Sequence, residues 1–181
     1  MTQTRPDALL GFAKLFVVFL IALAIVVAVS VGIAAFALAA VWVMQNPDFI
    51  KGMAEHTRTD APLWHVMTAI LLILGLVMAM TMMAVRWLQT LKAIIDSVSD
   101  GDPFAPENAE RLRAMGWLTV AIELVSIPVG GIGQWLASTF KDATSDFGLS
   151  LGGLLLAMVL FILARVFREG AAMRADLEGT V

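Results

Sequence analysis

Glu123 is the first residue whose chemistry stands out, because it is a carboxylate inside a long apolar run. It lies about nine residues into a predicted membrane span at residues 114–137, roughly 13 Å from the nearer end. A carboxylate at that depth is costly, and such residues usually face the interior of a helix bundle or a wet cavity. Glu123 is therefore a candidate for a role inside the membrane.

The helix face that carries Glu123 is small and polar, and it leaves two interpretations open. Its other members follow at spacings of three or four residues: Gly116, Thr119, Ser126, Gly130 and Gln134. In the first interpretation, Glu123 is a neutral acid that bridges two helices through hydrogen bonds. In the second, Glu123, Ser126 and Gln134 are the polar groups of a proton or substrate site in a small transporter or channel component.

The other reactive side chains do not form a recognisable metal or catalytic site. Met78 and Met82 have a spacing that can bind Cu(I), but with no cysteine in the chain apolar packing explains them better. His56 and His65 are nine residues apart, which fits no zinc motif. The sequence also contains no recognisable pairing of a nucleophile with a base. We therefore expect no metal, no cofactor and no enzymatic activity.

The polar stretch at residues 101–113 is a second candidate site, and it separates two apolar runs. One interpretation is purely structural, with a turn followed by a well-formed helix start at Pro106. The other is a docking surface for a protein partner, with Phe104 as the apolar anchor and arginines as charged contacts. The residues predicted for that surface are Asp102, Pro103, Phe104, Asn108, Arg111 and Arg113.

The elements that must position these residues are four apolar spans in a single domain covering residues 1–181. The chain is 60% apolar and 15% charged, which favours a membrane protein over a soluble one. The spans fall at about residues 15–44, 63–85, 114–137 and 147–164. We predict an all-α, integral membrane four-helix bundle in which the second and third spans extend into a cytoplasmic hairpin.

Small residues suit the contacts inside such a bundle or between two copies in a homo-oligomer. The first span carries Ala28 and Gly32 on one stripe, and the fourth carries a Gly148-x-x-x-Gly152 pair. The first span also resembles a signal peptide at residues 37–39, but its apolar region is too long for one. We therefore expect this span to be retained.

The distribution of basic residues predicts the orientation of the spans. Nine lie on one side: Arg5, Lys14, Arg86, Lys92, Arg111, Arg113, Arg165, Arg168 and Arg174. Only Lys51, Arg58 and Lys141 lie on the other. Both termini and the 101–113 stretch are thus predicted to be cytoplasmic. The net charge of −3 argues against direct binding of nucleic acid.

The same polar stretch resembles a bacterial membrane protein family known as domain of unknown function 2975. Two patches carry the resemblance. The first comprises Gly101, Pro103, Phe104, Asn108, residues 111–113, Gly116 and Trp117, and the second comprises residues 168–170 and 177–181. Since the chain closes on the last of these elements, a longer tail is not expected.

The resemblance implies a small inner-membrane protein of uncharacterised biochemistry, in a family type often encoded beside a helix-turn-helix regulator. We therefore expect a non-enzymatic regulator or sensor that lies in the lipid bilayer and docks a cytoplasmic partner. A helix-turn-helix regulator is the candidate partner. The transporter or channel component described above is the alternative.

Overall fold

The computed structural model describes residues 8–56, 62–140 and 150–178, whose regular elements are five α-helices. They are α1 (Ala8–Val43), α2 (Pro47–His56), α3 (Leu63–Ser99), α4 (Pro106–Thr139) and α5 (Leu151–Glu178). The predicted all-α class is confirmed. Residues 147–149 at the predicted start of the fourth span, including Gly148, lie outside the described residues, as do residues 179–181.

Four of these helices, α1, α3, α4 and α5, are long and apolar enough to cross a membrane. The 36 residues of α1 extend for roughly 54 Å, more than the hydrocarbon thickness of about 30 Å. Only 11% of the 18-residue apolar stretch of α1 is buried, and the same fraction is buried in the corresponding stretch of α3. Most of their apolar surface is therefore left for lipid, as expected of membrane-spanning helices.

Helix α2 lies between the first two predicted spans, in a segment for which no helix was predicted. Asn46 caps this helix, because its Oδ1 accepts hydrogen bonds from the backbone N–H groups of Asp48 (3.1 Å) and Phe49 (3.3 Å). Pro47 occupies the first helical position, where a missing N–H costs nothing. Gln45 has a φ of 47°, which separates α2 from the end of α1. The residues that stop one helix thus also start the next.

Helix α3 continues without a break past the predicted apolar span to Ser99. Its end is a Schellman motif around Gly101, whose φ is 87°. The Gly101 N–H donates to the Val98 carbonyl (3.1 Å), and the Asp102 N–H donates to the Ser97 carbonyl (3.0 Å). Pro106 then opens α4, with Glu107 in its first turn. The turn is therefore encoded by glycine and proline at the positions that need them.

The contacts of the chain divide into two compact units. Unit 1 comprises Met83–Ala121, Ser150–Val181 and the N-terminal part of α1, within the limits of the described residues. Its core is a cluster of four buried residues with four larger side chains packed around it. These are Leu112, Met115, Leu160 and Ala164, surrounded by Trp87, Leu91, Ile94 and Phe167.

Helix α1 is joined to α3 in unit 1 by an ion pair. Lys14 Nζ lies 2.7 Å from Asp96 Oδ1, and Lys92 Nζ lies 2.6 Å from Asp96 Oδ2. Both carboxylate oxygens of Asp96 are thus within ion-pair distance of a lysine.

Unit 2 comprises Val26–Met82 and the described part of Ile122–Leu149. Its most completely buried apolar side chains are Val66 and Met67 near the start of α3. In α1, a Cβ added at Gly32 would lie 3.2 Å from Cε of Met78 on α3. The small residue predicted for a helix contact therefore does permit a close approach of two helices.

Replacing Gly101 with alanine should destabilise the protein by about 1–2 kcal/mol, because an L side chain is strained in the left-handed region. Gly52→Ala is the matched control. An added Cβ meets nothing within 4 Å at either position, but Gly52 is helical and has no positive φ. The control should stabilise the protein by about 0.5–1 kcal/mol. Unfolding of the purified protein in detergent, followed by circular dichroism, measures the stability of both variants. Equal effects of the two substitutions would contradict a left-handed conformation at Gly101.

Candidate functional site

Asn108 holds together the turn between α3 and α4. Its side chain is completely buried, with 0% exposed. Its Nδ2 donates to Ser97 Oγ at 2.7 Å and to the Pro103 carbonyl at 3.1 Å. Its Oδ1 accepts a hydrogen bond from Arg111 Nη1 at 2.8 Å. One amide thus links the end of α3, the turn and the first turns of α4.

Two of the six residues predicted to dock a partner are therefore directed into the hairpin. Arg111 is half-buried, and its Nη1 also donates to the Ala93 carbonyl of α3 at 3.4 Å. Asn108 is buried and not accessible to a partner while the hairpin is closed, which corrects its assignment as a contact residue. The sequence showed both side chains as polar but did not show which way they face.

The tip of the hairpin packs against the C-terminal half of α5. Asp102 Oδ1 accepts from Arg174 Nη1 at 2.6 Å, across 72 positions of sequence. The Phe104 ring lies 5.4 Å from the Phe167 ring, centroid to centroid, with an interplanar angle of 40°. The Glu110 carboxylate lies 3.1 Å from Arg168 Nη2. We call this set of contacts the tip–α5 contact.

Gly170 is the position where the tip–α5 contact is closest. A Cβ added there would lie 3.0 Å from Cδ1 and 3.1 Å from Cε1 of Phe104. Such distances are tighter than ordinary van der Waals contact, so the aromatic ring fits because position 170 has no side chain. Glycine at this position is therefore explained by packing.

A second close approach joins α4 to α5 below the tip. A Cβ added at Gly116 would lie 2.8 Å from Cε1 of Phe161, and the Trp117 ring meets the same phenylalanine edge-on at 5.4 Å. One turn further along α4, Thr119 Oγ1 accepts a hydrogen bond from Trp87 Nε1 of α3 at 3.2 Å. Helix α4 is therefore fixed against both α3 and α5 in unit 1.

Residues 49–181 match the family described as "Protein of unknown function (DUF2975)". The chain belongs to this family. No curated protein and no solved structure matches it. The matched region contains the whole tip–α5 contact and excludes α1, so the site is built entirely from the part of the chain that defines the family.

The DUF2975 resemblance rested on two patches far apart in sequence, and the structure places them together. Phe104 from the first patch packs over Gly170 from the second, and Glu110 beside the first pairs with Arg168 in the second. Sequence reasoning missed Phe167 and Arg174, which complete the contact. The available signal was their helical spacing from Gly170, at three residues for Phe167 and four for Arg174, which puts them near the same face of α5.

Two hydroxyls on the predicted polar face of α4 donate to carbonyl groups of their own helix. Thr119 Oγ1 donates to the Met115 carbonyl (2.9 Å), and Ser126 Oγ donates to the Glu123 carbonyl (2.7 Å). The Glu123 side chain is half-buried and Gln134 is exposed. The structure thus gives both of these hydroxyls a partner within α4.

A cavity of about 500 Å³ in unit 2 is lined instead by apolar and aromatic groups of α3 and α4. Trp64, His65 and Leu72 contribute from α3, and Ile132 and Trp135 from α4. The Trp64 and His65 rings lie close together, with centroids 3.6 Å apart and an interplanar angle of 30°. This lining suits an apolar occupant, such as a lipid chain, better than an ion.

A double-mutant cycle between Gly170 and Phe104 should reveal coupling of about 1 kcal/mol in the free energy of unfolding. Gly170→Ala in the Phe104→Ala background should stabilise the protein by about 0.5–1 kcal/mol, because alanine is the better helix former. With Phe104 present, the close ring should cancel or reverse that gain.

The control for this cycle is Gly75→Ala with Phe104→Ala, since an added Cβ at Gly75 meets nothing within 4 Å. That pair should be additive within about 0.5 kcal/mol. If the Gly170→Ala and Phe104→Ala effects on the free energy of unfolding were also additive, the close packing of Phe104 on Gly170 would be contradicted.

Proposed function

We propose that this protein is a non-enzymatic regulator or sensor of a bacterial inner membrane, with both termini in the cytoplasm. Its hairpin tip and the C-terminal half of α5 together bind a soluble partner. The observation that carries the proposal is the tip–α5 contact, because it joins the two family-specific patches into one exposed surface. The excess of arginine and lysine on this side of the predicted spans supports a cytoplasmic location.

The surface offers both an apolar anchor and charged groups for a partner. Phe104 remains 42% exposed although it touches α5, and Met173 is 64% exposed in the polar end of the same helix. Glu107, Glu110 and Arg113 are exposed in the first turns of α4. A few apolar anchors surrounded by charged residues are typical of protein interfaces in which the anchors supply most of the energy.

The contact is also weak enough to respond to a signal. Its ion pairs are exposed, and each is worth about 0–1 kcal/mol. The aromatic pair adds about 0.5–1.5 kcal/mol beyond its burial. A small shift of α5 in the bilayer, or a partner that prefers the separated form, can therefore change the population of the closed contact. The hydrogen bonds of Asn108 hold the hairpin together whether or not the tip–α5 contact is closed.

The partner test uses the helix-turn-helix regulator encoded beside this protein, if present, and the full-length chain in lipid nanodiscs. Phe104→Ala should weaken binding by about tenfold, as expected for loss of an interface anchor. The matched control is Phe36→Ala, which removes a phenylalanine that is 76% exposed in α1. The Phe36→Ala variant should bind the partner as tightly as the wild-type protein does.

Failure of the wild-type protein to bind, or equal binding by the Phe104→Ala variant, would overturn the proposed surface. Arg111→Ala is a poorer probe, because loss of its bonds to Asn108 and Ala93 would open the hairpin. Arg174→Ala is preferable for the charged part of the surface, since its carboxylate partner Asp102 is half-exposed.

The transporter alternative depends on Glu123, a half-buried carboxylate in a helix long and apolar enough to cross a membrane. Under the proposed regulatory function, proteoliposomes containing the wild-type protein or Glu123→Gln should show the same proton leak as empty liposomes. Glutamine keeps most hydrogen bonds of the acid but cannot titrate. Proton-coupled flux that is present in the wild type and lost in the variant would favour transport.

A further inference from the structure

A second cavity in unit 1, of about 300 Å³, combines three arginines with an apolar wall. It is lined by Arg113 from α4 and by Phe161, Ala164, Arg165, Arg168 and Glu169 from α5. It shares Arg168 with the tip–α5 contact but is separate from the cavity at that contact, which is lined by Asp102, Phe104 and Arg174 among others. From its position and chemistry, we propose that this cavity binds the headgroup phosphate of an anionic phospholipid from the cytoplasmic leaflet.

The position of the arginines at the edge of the apolar helices is the first argument. Arg113 immediately precedes the third predicted span, and Arg165 immediately follows the fourth. Phe161 and Ala164 lie within the apolar part of α5 and form the wall of the same cavity. A phospholipid has the same order of groups, with its phosphate at the headgroup level and its acyl chains beneath. Basic pockets between membrane helices on the cytoplasmic side suit such headgroups.

The charge balance of the cavity is the second argument. Arg165 Nε pairs with Glu169 at 3.0 Å, and Arg168 pairs with Glu110 at 3.1 Å. Arg113 is exposed and makes no ion pair with any residue that the structure describes. Arg165 and Arg168 are thus each paired with a carboxylate, so the unbalanced positive charge of the lining lies at Arg113, where an anion would be stabilised. Guanidinium groups match phosphate oxygens well, because they can donate two parallel hydrogen bonds.

An exposed tryptophan beside the cavity is the third argument. Trp117 is 59% exposed and packs edge-on against Phe161, which lines the cavity. Tryptophan is enriched at the headgroup level of membranes, where its ring is partly apolar and its N–H can be solvated. A lipid in the cavity would therefore place its upper acyl chain near Trp117, which provides a spectroscopic reporter.

The test titrates the full-length protein in mild detergent with phosphatidylglycerol or phosphatidylcholine that carries brominated acyl chains. Bromine quenches nearby tryptophan, and subtraction of the signal of the Trp117→Phe variant isolates Trp117. Phosphatidylglycerol should quench Trp117 at a concentration at least fivefold lower than phosphatidylcholine. Arg113→Gln should weaken phosphatidylglycerol binding by about fivefold, the value of one cation near an anionic headgroup.

Two variants control for charge and for folding. Arg86→Gln removes another exposed arginine of unit 1 that does not line the cavity and has no ion pair with the described residues, so it should leave binding unchanged. Arg113→Lys keeps the charge and should retain most of the preference for phosphatidylglycerol, whereas a misfolded protein would lose binding in both Arg113 variants.

Equal quenching by the two lipids, or equal effects of Arg113→Gln and Arg86→Gln, would overturn the proposal. Complete displacement by millimolar inorganic phosphate would also overturn it, because the site would then take soluble phosphate.

Discussion

The buried amide of Asn108 is the interaction on which the rest of unit 1 depends. It is completely buried, and its three hydrogen bonds connect Ser97 in the last turn of α3, the backbone carbonyl of Pro103 and the side chain of Arg111. A buried amide without partners would cost about 1–3 kcal/mol for each lost bond, so the closed turn is strongly favoured over an open one. Since both helices are long, a turn fixed at this point sets the direction in which α4 leaves α3. The faces that α4 presents to Trp87 and to Phe161 follow from that direction.

The contact between the hairpin tip and α5 is of a different kind. It uses exposed ion pairs, one aromatic pair and a close approach at Gly170, and none of these is deeply buried. A rigid, amide-locked hairpin beside a weakly held helix end gives the protein one element that stays fixed and another that can separate. This difference in strength supports the regulatory surface proposed above, and it is independent of any chemistry at Glu123.

The apolar helices are subject to another constraint, because lipid is as apolar as their own side chains. In water, a helix reveals its inner face by the periodicity of its hydrophobic residues. In α1 almost every position is apolar, and most of the large side chains remain exposed. Small residues then mark where helices approach each other, as Gly32 beside Met78 and Gly116 beside Phe161 illustrate.

Local sequence was enough to determine the helical class, the apolar spans and the turn between α3 and α4. Glycine at 101 and proline at 106 encode that turn through the backbone conformations they allow, which requires no distant contact. Helix α2 was missed for a local reason as well, since Asn46 and Pro47 end one helix and start another with the same residues. Only tertiary structure decided that Asn108 is buried, that Phe104 lies on Gly170, and that Asp102 pairs with Arg174. The last two of these facts depend on contacts between segments about sixty to seventy residues apart, where no local preference specifies which side chains meet. The polar stretch at residues 101–113 was therefore recognisable from sequence. Packing decided which of its side chains are buried, as Asn108 is, and which remain exposed, as Phe104 does.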